Sequence, residues 1–188
     1  MATAAKARLV RATTELMRRH GVAGTAVSEI LSDSGAARRS IYLNFPGGKS
    51  QLVTEATRVA GASMAVAIRE ILDADDPIEA FTTLWIALLS TTDFDAGCPI
   101  VAAALGRADA AEAADLAGEI FTEWYGLVGE HLMAEGIAPD MAESLSITVV
   151  SAVEGAVVAC QALRSTRPLE EVGVRLRELM AIHRPMEN

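Results

Sequence analysis

Helical periodicity constrains this chain more than any other feature. Apolar residues recur every three or four positions along its length, and no stretch alternates apolar with polar residues as a half-buried strand does. Leu9, Ala12, Leu16 and Met17 are spaced for one face of a helix over residues 2–20, which Gly21 stops. The same reading predicts short helices over 27–34 and 37–44, with Gly35 in the turn between them. Pro46-Gly47-Gly48 breaks the chain before a long helix over 49–72. Five more follow, over 77–91, 99–108, 111–134, 139–163 and 168–183. Pro77, Pro99, Pro139 and Pro168 stand at or near four of the starts, where a missing N–H costs nothing. The expectation is an all-α protein of about nine helices. It divides into a small N-terminal domain, residues 1–48, and a larger helical domain, residues 49–188, linked by the long fourth helix.

Composition supports a packed fold. Of 188 residues, 51% are hydrophobic and only 4% aromatic, so the core is built mainly from Ala, Val, Leu and Ile. The net charge of −9 argues at first against a polyanionic partner. The charge is unevenly placed, however. Residues 1–58 carry nine basic and four acidic side chains, a net +5, while residues 59–188 carry −14. A basic head on an acidic body confines any nucleic-acid contact to the head.

Other function classes find little support. Cys98 and Cys160 do not make a disulfide framework. Residues 1–10 lack the apolar core of a signal peptide, and the apolar run 147–163 is broken by Glu154 and Gln161, so a soluble cytoplasmic protein is expected. His20, His131 and His183 match no metal spacing. There is no Gly-rich phosphate loop, nucleophile elbow or paired-Cys site, so neither metal, cofactor nor enzymatic activity is expected.

The three N-terminal helices have the lengths and tight turn of a helix-turn-helix. In that arrangement the third helix lies in the major groove, and its exposed positions must read bases or bind phosphates. Here those positions carry Arg38, Arg39, Ser40, Tyr42 and Asn44. Arg matches guanine in bidentate fashion, while Tyr and Asn hydrogen-bond phosphate oxygens.

Residues 12–56 resemble the TetR family of transcriptional regulators. The resemblance is carried by Gly21, Thr25-Ala26-Val27, Ile30, Gly35, Ile41-Tyr42, Phe45, Lys49 and Leu52, and most specifically by Tyr42 and Phe45 followed by Pro46-Gly47-Gly48-Lys49. It implies that Tyr42 and Lys49 bind phosphates, Lys49 with help from the start of the fourth helix. The DNA-facing set is then Thr25, Arg38, Arg39, Ser40, Tyr42, Asn44 and Lys49. Ala37, Arg39 and Asn44 depart from the family's usual Ser or Thr, Gly or Lys, and His; the first leaves the third helix without its usual cap.

A palindromic operator demands a symmetric dimer. On the last two helices Leu145, Val149, Ala152, Ala156 and Leu163, with Leu176 and Leu179, form apolar stripes for a four-helix homodimer interface, a layout the resemblance also implies. A small-molecule effector, largely apolar or aromatic, is expected in the helical domain. Its wall candidates are Phe81, Trp85, Leu88, Phe121, Trp124 and Tyr125, with Glu154 as a lone carboxylate that favours a cationic effector. The segment Gly97-Cys98-Pro99 and the run Glu154-Gly155-Ala156 resemble the multidrug- and flavonoid-responsive members, which adds Cys98 to the ligand set. The expected function is a ligand-responsive repressor. The alternatives are an activator, a regulator signalled by redox or a protein partner, and an all-helical enzyme or carrier.

Overall fold

The computed structural model describes residues 2–183, and among them every regular element is a helix. They are α1 (Ala2–Gly24), α2 (Val27–Ser34), α3 (Arg38–Asn44), α4 (Gly48–Leu72), α5 (Pro77–Thr91), α6 (Pro99–Leu105), α7 (Ala111–Ala134), α8 (Pro139–Leu163) and α9 (Arg167–His183). The all-α expectation and the nine helices hold. Local chemistry explains the boundaries. Gly35 closes α2 in the left-handed conformation (φ 60°), which glycine adopts without a Cβ penalty. Pro77, Pro99 and Pro139 each stand in the first turn of their helix. Asp76 caps α5, its carboxylate accepting the Glu79 N–H at 2.9 Å. Gly21, expected to stop α1, kinks it instead: its φ of 68° breaks the helical geometry, and α1 continues to Gly24.

The described residues pack into two compact units, 2–63 with 97–120, and 64–96 with 121–183. In the first unit α1 packs on α2, α3 and α6. Leu9, Met17, Ile30, Ile41, Phe45 and Leu52 are all buried there. The Arg18 guanidinium donates to the Gly97 carbonyl at 2.9 Å, and the Gly97 N–H donates back to the Arg18 carbonyl at 3.0 Å, which ties α1 to the chain entering α6. In the second unit α8 and α9 pack together and both meet α5. Trp85, Leu89, Trp124, Val157, Cys160 and Leu169 are buried in its core. Among the described residues α8 alone is long and apolar enough to cross a membrane, with a mean hydropathy of 1.6 over its best window. Half of that window is buried in the fold, as befits a core helix.

Candidate functional site

The head builds an outward basic face from a short helix. Within α3, Ile41 is turned inward, and Phe45 just after it is also buried, each 1% exposed. Helical geometry therefore turns Arg38, Arg39, Tyr42 and Leu43 outward, and all four are exposed. Tyr42 is 54% exposed and Leu43 68%. Ala37 begins α3 with no side-chain cap, as its identity predicts. The helix is held from behind. Lys6 places its ammonium 5.7 Å from the Phe45 ring centroid and 2.8 Å from the Glu55 carboxylate, which also meets Arg58 at 2.8 Å. The hydrogen bond from Lys6 holds the Glu55 carboxyl below its ordinary pKa against the opposing effect of burial, and Arg58 adds to the lowering. Arg8 donates to the Ser34 carbonyl at 3.0 Å, securing the end of α2.

The other expected DNA-facing residues divide. Lys49 is the second residue of α4 and partly exposed, at the positive end of that helix. Ser40 is partly buried, and the Asn44 amide donates to the Ser40 carbonyl at 2.7 Å, so Asn44 serves α3 itself. Thr25 is buried, and its hydroxyl donates to the Gly21 carbonyl at 2.7 Å, so its side chain is committed to the kink of α1 rather than to a surface. Leu43, which the sequence analysis does not single out, shares this outward face. Its phase relative to Ile41 is the signal that places it outside.

The second unit contains a cleft of about 580 Å³, counting its open mouth. It is lined from five helices: Ile68, Ile71 and Leu72 of α4, Pro77, Ile78 and Phe81 of α5, Val128, His131, Leu132 and Glu135 at the end of α7, Val149 and Val150 of α8, and Met180 of α9. The wall is apolar apart from His131 and Glu135, whose Nε2 and Oε1 lie 3.6 Å apart. Of the expected effector residues, Phe81 alone lines this cleft. Three others lie one helical turn from its wall: Trp85 beyond Phe81, Trp124 before Val128, and Glu154 beyond Val150. All three are buried, Trp85 at 1%, Trp124 at 0% and Glu154 at 6% exposed. Neither indole N–H meets a hydrogen-bond acceptor among the described residues, which is uncommon for a buried donor. Phe121 packs edge-on against Trp124 at 5.4 Å and stacks with Tyr125 at 6.3 Å. Leu88 is partly buried on α5, and Cys98 is buried in the first unit. Burial pushes the Cys160 thiol up.

The stripe expected to dimerise is mostly interior. Leu145, Val149, Ala156 and Leu176 are buried within the single chain, Ala152 and Leu179 are partly so, and Leu163 is 68% exposed. The outward face of α8 instead carries Ser144, Ile147, Ser151, Gly155 and Val158, at spacings of three and four. Ile147 is 43% and Val158 49% exposed.

A helix-turn-helix head joined to a helical unit that holds an apolar cleft defines a DNA-binding regulator with a separate regulatory domain. Comparison with known proteins specifies it further. Residues 9–56 match the family model described as bacterial regulatory proteins, tetR family, and residues 74–175 match the C-terminal domain of LmrA/YxaF-like transcriptional regulators. The chain is 34% identical over 184 residues to an HTH-type transcriptional regulator of Mycobacterium tuberculosis, covering 95% of each. It is 27% identical over 178 residues to the HTH-type transcriptional regulator LmrA of Bacillus subtilis, covering 92% of this chain and 95% of that one. Its fold matches the regulatory protein TetR from Rhodobacter sphaeroides at a TM-score of 0.82 and 17% identity, over 92% of this chain and 96% of that one. It matches a TetR transcriptional regulator from Chloroflexus aurantiacus at 0.81 and 22%, over 99% and 98%. The chain belongs to the TetR family of transcriptional regulators. It is a DNA-binding regulator with a C-terminal regulatory domain and not an enzyme.

Proposed function

We propose that this regulator is a homodimeric repressor that leaves a palindromic operator when a small, largely apolar effector enters the second unit. The reading is carried by one combination: an outward Arg38, Arg39 and Tyr42 face on a short helix, and an apolar cleft in the same chain. Acting on chromosomal DNA, the protein works in the cytoplasm. Arg38 and Arg39 read bases or backbone, and Tyr42 and Lys49 hold phosphates.

The effector's chemistry follows from the side chains around the cleft. Its body packs against Ile71, Phe81, Val149 and Met180. A polar group on it meets the His131–Glu135 pair, the polar part of the wall, while Trp85 and Trp124 lie one turn behind that wall and sense its occupancy. Helix α4 carries Lys49 in its first turn and Ile68, Ile71 and Leu72 in its last two, so the same helix supplies residues to both DNA and effector. An effector that binds better to one setting of α4 shifts the population toward it, and a coupling of about 1–3 kcal/mol is sufficient for release. Two copies meet through the outward Ile147, Ser151, Gly155 and Val158 face of α8, with Leu163 at its end.

Intrinsic fluorescence tests the effector reading directly, because Trp85 and Trp124 are the only tryptophans. Apolar aromatic compounds carrying carbonyl or amine groups are screened for a change in tryptophan emission and, in parallel, for release of labelled operator DNA. A compound that does both, with both effects weakened by Phe81→Ala, supports the proposal. Operator release by compounds that leave both tryptophans and the Phe81→Ala affinity untouched places the effector elsewhere.

A further inference from the structure

The outward face of α3 holds four side chains in two rows, since Arg38 and Tyr42 are one turn apart and so are Arg39 and Leu43. Two arginines and a tyrosine suit a polyanion. Leu43 does not, yet it is 68% exposed while its neighbours Ile41 and Phe45 are 1% exposed. A solitary exposed leucine is ordinary on most surfaces. This one shares the outward face of α3 with Arg38, Arg39 and Tyr42, in the head whose net charge is +5. Charge complementarity selects duplex DNA as the occupant of this face. The base edges of its major groove present donors, acceptors and a single apolar group, the thymine 5-methyl.

We infer that Leu43 is a specificity-determining residue that packs on a thymine methyl. One helical turn rises 5.4 Å and one base pair 3.4 Å. The thymine therefore lies within about two base pairs of the base met by Arg39. The inference rests on α3 being the recognition helix and adds a base preference that no arginine or tyrosine contact supplies.

The test uses the full chain and an operator duplex recovered by footprinting the DNA upstream of its own gene. Each thymine is replaced in turn by deoxyuridine, which removes only the methyl, and affinity is read by fluorescence anisotropy. The wild type is expected to lose about fourfold per half-site at one symmetry-related thymine, the factor for burying one methyl-sized group. Leu43→Ala should bind the thymine duplex that much more weakly and show no further loss on the deoxyuridine duplex. Its unfolding midpoint and sedimentation should match the wild type. A wild type indifferent to every deoxyuridine, or a Leu43→Ala protein that keeps the wild-type sensitivity, overturns the inference while leaving α3 as the DNA-binding helix. So does a Leu43→Ala protein altered in oligomeric state rather than in DNA affinity, which would make Leu43 a contact between copies. A chain that protects no specific site overturns the recognition-helix reading itself.

Discussion

Tyr42 and Phe45 belong to one motif, three residues apart, and the structure exposes the first and buries the second. Replacing each by alanine separates the two roles. Phe45 is 1% exposed beneath α3, its N–H donating to the Ile41 carbonyl at 2.7 Å and its carbonyl accepting the Gly48 N–H at 2.8 Å. Removing a buried phenyl ring costs about 3–5 kcal/mol. Loss of the Lys6 ammonium 5.7 Å from the ring adds about 0.5 kcal/mol, the low end for a cation–π contact, because that lysine is 45% exposed. With a urea dependence of about 2 kcal/mol per molar, the unfolding midpoint of Phe45→Ala falls by roughly 1.8–2.8 M. Tyr42 is 54% exposed, so Tyr42→Ala should move the midpoint by no more than about 0.3 M. On the proposed function it loses instead a hydrogen bond to a charged phosphate, about 1.5 kcal/mol or more, and operator affinity should fall at least about tenfold per half-site. Urea denaturation followed by circular dichroism, paired with anisotropy on operator DNA, measures both. If Tyr42→Ala destabilises the protein as much as Phe45→Ala, or binds DNA as tightly as the wild type, the division between core and contact is refuted.

Other consequences can be checked separately. Lys49→Gln removes one phosphate contact per head, so the plot of log affinity against log salt for the dimer should become shallower by about 1.8; an unchanged slope removes Lys49 from the interface. Glu55 has its folded pKa depressed below 4.5, chiefly by Lys6, so its stabilisation is complete above that value and is lost as pH falls through the lowered one. Glu55→Gln should flatten that part of the acid-stability profile, and superimposable profiles would contradict the pairing. Cys98 and Cys160 are both buried, so neither should react with a thiol-specific disulfide reagent until the protein unfolds; rapid native modification of Cys98 would revive redox signalling.

Local physics made the helices legible. Gly35 and the prolines Pro77, Pro99 and Pro139 mark boundaries because φ > 0 and a missing N–H act within one or two residues. Gly21 shows the limit of such signals, since a single non-helical residue kinked α1 without ending it. Period alone also predicted that Arg38, Arg39 and Tyr42 face outward. Thr25 and Asn44 could not be settled in that way, because a short polar side chain bonds as readily to a backbone carbonyl one turn away as to a phosphate. On α8, periodicity found the most apolar face, through Leu145, Val149 and Ala156, and the chain's own core claims that face. A pattern of apolar residues says what must be covered, not which chain covers it. The cleft was the least legible feature: its wall comes from five helices, and His131 and Glu135 become neighbours of Phe81 only through tertiary packing. Size singles out the tryptophans and charge in an apolar run singles out Glu154, but neither property tells a wall from the layer behind it, and all three lie one turn from that wall.

The central claim is that this chain reads a specific operator through the exposed face of α3. Footprinting on the DNA upstream of its own gene, with the wild type and with the Arg39→Ala, Tyr42→Ala double variant, tests it most directly. A two-fold symmetric protected site whose occupancy weakens with salt, and which the folded double variant fails to protect, is the predicted result. Protection equally strong with the double variant, or no site that outcompetes bulk DNA, would contradict it.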